Sequence, residues 1–166
     1  FLRAPRMPLF WEEYDRGTST LGEVTVTIGE MTGRSVEVCA AMLQLAIDLQ
    51  EPVKSTERLV GDLKAAGYKL YVLSNMSREF IDFLRRFPVY GLFDGEVVSC
   101  EEHTVKPEPR IYEILLERYG LTPSETLFID DREANIEAAA ALGIHGFVFN
   151  HRDPEAACDA LRAQLL

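Results

Sequence analysis

The sequence lacks long apolar runs, internal repeats and low-complexity tracts. No apolar run approaches the roughly 20 residues that a membrane-spanning helix requires, so we do not expect an integral membrane protein. Apolar residues make up 47% and charged residues 27% of the 166 positions, which is close to a globular average. This composition excludes disorder over most of the chain. A chain of this length forms one domain, or one domain with a small insertion.

Basic residues and cysteines are both scarce. The 17 Lys and Arg residues face 27 Asp and Glu residues, which gives a formal net charge of −10. Such a surface repels phosphate backbones, so we expect no nucleic-acid partner. The cysteines (Cys39, Cys100 and Cys158) are odd in number and lack metal-type spacing, which predicts reduced thiols and a cytoplasmic location. The chain starts with Phe1 rather than Met, and its opening does not resemble a signal peptide.

The first part of the chain has helical periodicity. Predicted helices cover about 21–32, 35–49 and 55–66, with Gly33 and Gly67 ending the first and the last. In the second helix an apolar face is formed by Val38, Met42, Leu45 and Leu49. The alternation in 24–28 would also suit a strand, but the helical segments on both sides favour a helix. We therefore divide the chain into a helical unit, 1–51, and a core, 52–166.

From residue 68 onwards, short apolar runs alternate with helical segments. Predicted strands cover 68–73, 95–99, 126–129 and 146–149, and Asp153-Pro154 opens a last helix. Alternating strands and helices predict parallel βα units and a doubly wound α/β sheet.

Polar side chains follow three of these strands. Ser74 and Asn75 follow the first strand, Lys106 lies in the loop after the second, and Asp130 and Asp131 follow the third. Ligands of open parallel sheets bind at the carboxyl ends of the strands, so these groups should converge. A hydroxyl, an amide, an ammonium and two carboxylates suit a phosphate with a divalent cation. Taken singly, each has a structural alternative as a turn residue, a helix cap or a solvated lysine.

Three segments resemble motifs II, III and IV of the haloacid dehalogenase-like (HAD) hydrolase superfamily: LYVLSN at 70–75, VKPEPRIY at 105–112 and LFIDDREANI at 127–136. The resemblance runs from about Pro52 to the C-terminus. The stretch from Phe10 to Gly17 is similar to the small helical cap of sugar-phosphate phosphatases in this group. The resemblance implies a Rossmann-like three-layer parallel sheet with a helical cap at its N-terminal end.

The resemblance also implies a reaction and roles for individual residues. The parent protein would be a Mg²⁺-dependent phosphatase that hydrolyses a small phosphorylated metabolite, such as a sugar phosphate, through an aspartyl-phosphate. Ser74, with Asn75 beside it, would bind phosphate, and Lys106 would balance the charge of the nucleophile and the phosphoryl group. Asp131 would ligate Mg²⁺ directly, while Asp130 would hold a metal-bound water or Lys106.

Five further polar residues receive no role in this reaction. Arg78 and Asn135 lie near the motifs but suit surface and helix-packing positions equally well. The histidines are expected in loops or turns: His103, His145 and His151.

The chain departs from the family pattern in one respect. The first motif of the family, a central strand ending in Asp-x-Asp, supplies the nucleophile and the acid/base, and no Asp-x-Asp occurs in these 166 residues. We expect the parent protein to have an N-terminal segment with that motif, and the chain alone to be inactive. Two alternatives stay open: a non-catalytic relative that binds phosphate or a protein, and a 2-haloacid dehalogenase. The dehalogenase group needs no Mg²⁺ and lacks the paired acids.

Overall fold

The computed structural model describes residues 7–166, so the first six residues of the predicted unit 1–51 lie outside the described residues. The helical part contains α1 (Leu9–Arg16), α2 (Leu21–Thr32), α3 (Val36–Asp48) and α4 (Lys54–Ala65). The remainder contains β1 (Tyr71–Ser74), α5 (Arg78–Leu84), β2 (Gly95–Val98), α6 (Ser99–Glu102), α7 (Pro109–Tyr119), β3 (Leu127–Asp130), α8 (Glu133–Ala141), β4 (His145–Val148) and α9 (Pro154–Leu165). Short 3-10 helices lie at Pro88–Leu92 and Pro123–Glu125.

The boundaries of α2 and α3 follow from local chemistry. Thr20 and Glu23 form a capping box at the start of α2, and Gly33 ends that helix with φ 68°. The Ser35 hydroxyl accepts from the N–H of Val38 and so caps α3. The alternating stretch 24–28 lies within α2, which confirms the helical interpretation over the strand.

Helix α3 packs on a different face from the one that its apolar spacing suggests. Val38, Met42, Leu45 and Leu49 do share a face, but their side chains are exposed. The buried residues of α3 are Cys39, Leu43 and Ile47, and Leu43 packs with Tyr14 of α1 and Val24 of α2. A helix that is apolar on both sides can dock by either, and its neighbours decide which one.

The strands form two separate parallel pairs. β1 pairs with β2, placing Tyr71 opposite Gly95, and β3 pairs with β4, placing Leu127 opposite His145. The parallel α/β class is thereby confirmed. Residues 7–166 contain two two-stranded sheets rather than one. This division agrees with the sequence, which lacks the central first strand of the family and so predicts a gap in the sheet.

Helices pack against both faces of the two sheets. One apolar cluster joins β1, β2 and β3 to α7 and α8, with Val97, Tyr112 and Phe128 near its centre. A second cluster brings Leu63 of α4 and Leu161 of α9 against residues at the strands, including Leu70 and Phe147. The strands therefore lie between two helical layers, and the two sheets share both apolar cores.

Several smaller expectations can be compared with the structure. All three cysteines are buried and free. His103 follows α6 and His151 lies in a turn, as expected, whereas His145 begins β4 and is not a loop residue. None of the helices in residues 7–166 combines the length and apolarity needed to span a bilayer.

Candidate active site

Lys106 lies between the two sheets. Its ammonium donates to the Leu73 carbonyl oxygen at 2.9 Å and to Asp130 Oδ2 at 2.7 Å. Its nitrogen is also 5.4 Å from the centre of the Phe128 ring. The Lys106 and Asp130 side chains are only 11% and 7% exposed, so water screens their attraction weakly. The loop between α6 and α7 thus brings a buried cation to the carboxyl ends of β1 and β3.

Asn75 fixes the backbone of that loop. Its Oδ1 accepts from the N–H of Lys106 at 2.7 Å, and its Nδ2 donates to the Lys106 carbonyl oxygen at 2.9 Å. This double hydrogen bond orients the main chain at Lys106, next to a cis bond to Pro107. One of the two Asn75 amide hydrogens is therefore occupied by the loop.

Both carboxylate oxygens of Asp130 accept hydrogen bonds within the protein. Oδ1 accepts from the N–H of Arg132 and from Asn135 Nδ2, each at 2.9 Å, while Oδ2 accepts from Lys106. Of the two partners expected for Asp130, a metal-bound water or Lys106, the structure places Lys106 beside it. Asp130 is thereby held by the start of α8 and by the loop between α6 and α7.

Asp131 and Ser74 have freer side chains. The Asp131 carboxylate is half exposed, and its Oδ2 lies 3.4 Å from His151 Nδ1. Ser74 ends β1 beside Val98 of β2. These two groups lie next in sequence to the residues that Lys106 bridges, so they follow the same strand ends. They are the hydroxyl and the carboxylate that remain available for a ligand.

The donors at this edge suit a hard divalent cation. Within residues 7–166 no group of three or more His, Cys, Asp or Glu side chains could by itself hold a metal ion. Mg²⁺, however, is commonly held by one or two carboxylates together with waters and substrate phosphate oxygens. Asn135 Oδ1 is also buried without a hydrogen-bond partner beside Asp130, and such an acceptor is served by a ligand or an ordered water. The residues present therefore fit Mg²⁺.

The sequence patterns gave no role to the Arg16–Glu108 pair, to Asn135 or to Asp15. Arg16 of α1 binds Glu108 through two hydrogen bonds, and the two residues lie 92 positions apart. Asn135 of α8 donates to Asp130. Its place in the LFIDDREANI segment is the feature of the sequence that could have indicated this contact. No pattern in the sequence marks Asp15. Burial raises the pKa of its carboxyl group to about 7; the hydrogen bond from the Ser77 N–H opposes this rise, and the nearby charge of Glu12 adds to it.

One cavity lies apart from these groups. Its volume is about 520 Å³, and it is lined by Tyr14, Gly17, Ser19, Thr20, Arg78, Glu79, Cys100, Glu101 and His103. Its polar groups already bind one another, since Arg78 pairs with Glu101 and the Tyr14 hydroxyl donates to Glu79. None of the five site residues lines it. We therefore locate the candidate active site at Lys106 rather than in this cavity.

Comparison with known proteins identifies related sequences. The model of one family, described as haloacid dehalogenase-like hydrolase, matches residues 9–143. The chain is 30% identical to mouse acyl-CoA dehydrogenase family member 10 over 161 residues, covering 94% of the chain and 14% of that protein. It is 29% identical to sesquiterpene phosphatase astK of Aspergillus oryzae, covering 92% of the chain and 77% of that protein. It is 32% identical to a phosphorylated carbohydrates phosphatase of Thermotoga maritima over 52% of the chain and 42% of that protein. The chain thus spans less than half of two of these relatives.

Solved structures show the same fold. A HAD family enzyme from Bacteroides thetaiotaomicron, a mutant in complex with magnesium and inorganic phosphate, aligns with a TM-score of 0.72 and 26% identity. The alignment covers 89% of this chain and 76% of that enzyme. A HAD-like family hydrolase from Porphyromonas gingivalis aligns with a TM-score of 0.70 and 25% identity. That alignment covers 92% of this chain and 78% of that hydrolase.

Proposed function

This chain belongs to the haloacid dehalogenase-like hydrolase family, and from that premise we propose that it forms the phosphate- and Mg²⁺-binding part of a phosphatase. The substrate is a small phosphorylated metabolite, such as a sugar phosphate. The observation that carries the proposal is the position of Lys106, which bonds to the end of β1 and to Asp130 at the end of β3. That position brings positive charge to the edge where Ser74 and Asp131 follow their strands.

The proposed role of each residue follows from the chemistry of its side chain. Ser74 binds a phosphate oxygen through its hydroxyl, and Asn75 holds the loop so that Lys106 keeps its place. Lys106 stabilises the negative charge that grows during phosphoryl transfer, in a site where buried charges interact strongly. Asp130 holds the ammonium in position by a 2.7 Å hydrogen bond.

Asp131 is the proposed direct ligand of Mg²⁺, and Asn135 Oδ1 is an acceptor for water at the same edge. When bound, the ion acts as a Lewis acid on phosphate oxygens. The paired acids Asp130 and Asp131 favour this phosphatase chemistry over a metal-independent dehalogenase. A small metabolite also suits a net charge of −10 better than a nucleic acid does.

The proposal includes a limit on turnover. Aspartyl-phosphate formation needs a carboxylate nucleophile, and the sequence contains no Asp-x-Asp. The 166-residue chain alone should therefore bind Mg²⁺ only weakly, because a carboxylate and a carbonyl of the first motif are absent, and it should show only background hydrolysis. Adding an apolar strand ending in Asp-x-Asp ahead of Phe1 should supply the missing groups.

Binding and turnover test the proposal separately. Isothermal titration calorimetry should detect inorganic phosphate binding in the presence of Mg²⁺, and Asp131→Ala should lower Mg²⁺ affinity on the order of tenfold or more. Lys106→Ala should weaken phosphate binding, while Arg58→Ala, at an exposed ion pair with Glu155, serves as the control. Equal Mg²⁺ binding by wild type and Asp131→Ala would refute the metal assignment.

An aryl phosphate assay with Mg²⁺ addresses turnover. The 166-residue chain and the version with the added Asp-x-Asp strand are compared at equal concentration. Removing a nucleophile typically costs several orders of magnitude in rate. Comparable Mg²⁺-dependent rates from both would show that a nucleophile lies within these residues, and the aspartyl-phosphate route through an added Asp-x-Asp would be wrong.

A further inference from the structure

The loop that carries Lys106 is closed by the carboxylate of Glu108. Glu108 Oε2 accepts from the Thr104 hydroxyl at 2.7 Å and from the Val105 N–H at 3.3 Å. These bonds join the two ends of the segment 104–108, with Lys106 in its middle. The orientation of the loop therefore depends on where the Glu108 carboxylate is held.

Arg16 of α1 holds that carboxylate from outside the loop. Its guanidinium donates to Glu108 Oε1 at 2.6 Å and to Oε2 at 2.9 Å, a bidentate geometry that fixes direction as well as distance. The Arg16 side chain is 23% exposed, so the pair is partly shielded from water. Arg16 is also the main reason that the pKa of Glu108 is lowered to about 2, so Glu108 stays ionised at neutral pH.

The backbone at Arg16 is itself anchored to the core. Gly17 has φ 75°, and a Cβ there would lie 2.4 Å from the carbonyl oxygen of Cys100, so only glycine permits this approach. The Ser99 hydroxyl donates to the carbonyl oxygen of Asp15. The Arg16 carbonyl oxygen lies 3.1 Å from the ring nitrogen Nδ1 of His103. The guanidinium therefore projects from a fixed point at the end of α1.

We propose that Arg16 is a positioning residue for Lys106: through Glu108 it holds the 104–108 loop so that the ammonium reaches Leu73 and Asp130. The pair couples the cap-like helix α1 to the edge where phosphate is proposed to bind. This inference deepens the proposed function and rests on it for the consequence for phosphate. The effect on the loop itself is independent of any ligand.

The test measures the loop and the ligand in the same variants. NMR hydrogen exchange reports the Lys106 amide, whose N–H is bound to Asn75 Oδ1 at 2.7 Å. Calorimetry reports the affinity for inorganic phosphate with Mg²⁺. The variants are Arg16→Met, which removes the guanidinium, and Arg16→Lys, which keeps the charge but not the bidentate fork. Arg58→Met is the matched control, since Arg58 also joins distant elements by bonding both Glu155 oxygens.

Arg16→Met should speed exchange of the Lys106 amide on the order of tenfold and weaken phosphate binding, while amides of α9 keep the exchange rates of the wild type. Arg16→Lys should give an intermediate result, and Arg58→Met should change neither readout. If Arg16→Met unfolds the chain, Glu108→Gln, which also breaks the bidentate pair, provides the same comparison.

Unchanged Lys106 exchange in a folded Arg16→Met or Glu108→Gln variant would overturn the inference, and so would equal acceleration across α9. A wild-type chain that binds no phosphate would instead overturn the proposed function. The exchange comparison would still decide whether Arg16 positions the loop.

Discussion

Asp15 lies at the end of α1, where burial raises the pKa of its carboxyl group from 3.8 to about 7. The folded protein therefore keeps this proton between about pH 4 and pH 7, whereas the unfolded chain releases it. Unfolding then releases a proton in this range, so the contribution of Asp15 to stability falls as the pH rises through it. Above pH 7 the native state contains a poorly solvated carboxylate, which destabilises it.

We predict that Asp15→Asn removes this dependence. The amide imitates the protonated carboxyl group, so the variant should match the wild type near pH 4 and exceed it above pH 7. A shift of about three pKa units sets an upper limit of roughly 4 kcal/mol on the difference. Urea unfolding at several pH values measures it, with the exposed Asp48→Asn as control. A constant difference between Asp15→Asn and wild type from pH 4 to pH 8 would contradict the prediction.

At the scale of elements, helix α3 shows what apolar spacing determines and what it leaves open. The sequence predicted the helix because helical periodicity depends on neighbouring residues. It did not determine the buried face, because apolar residues occupy both 38, 42, 45, 49 and 39, 43, 47. Contacts with α1 and α2 select the second set, through Leu43.

Two leucines of α3 provide a matched prediction. Leu43 is 7% exposed and packs against Tyr14 and Val24, whereas Leu45 is 55% exposed. Leu43→Ala leaves a cavity and should lower the free energy of unfolding by about 2–4 kcal/mol. Leu45→Ala removes little buried surface and should cost less than about 1 kcal/mol. Denaturant unfolding of both variants gives the comparison, and equal losses would mean that the α3 face 38, 42, 45, 49 is covered in solution.

The same reasoning separates the parts of the candidate site that local sequence patterns predict from the parts that they do not. Ser74, Asn75, Lys106, Asp130 and Asp131 follow strand ends, and that rule of parallel sheets depends on local pattern. The Arg16–Glu108 pair depends on how α1 docks, which no local pattern encodes. The strands could likewise be recognised from their apolar runs, and the lack of the central first strand predicts the gap that divides them into two pairs.

At the scale of the whole molecule, two small sheets must be held together. A two-stranded sheet is marginally stable by itself, and here both sheets share apolar clusters with the surrounding helices. The Lys106–Asp130 pair adds a polar link, since Lys106 also donates to the end of β1. A buried ion pair can cost as much to desolvate as it returns, but losing one partner leaves an uncompensated charge.

We therefore predict strong thermodynamic coupling between Lys106 and Asp130. Lys106→Met should cost about 2–4 kcal/mol because the buried carboxylate loses its cation while keeping only the Arg132 and Asn135 donors. Asp130→Asn should be destabilising for the converse reason. The double variant should cost less than the sum of the single variants by about 1–3 kcal/mol, because neither charge is then left alone. Urea unfolding of the wild type, both single variants and the double variant at pH 7 measures this coupling.

The control is the same set of variants at Arg58 and Glu155, whose side chains are 57% and 60% exposed. Their coupling should be below about 1 kcal/mol. Additive losses at Lys106 and Asp130 would mean that the apolar clusters alone join the two sheets, and that the ammonium is held at this edge for binding rather than for stability.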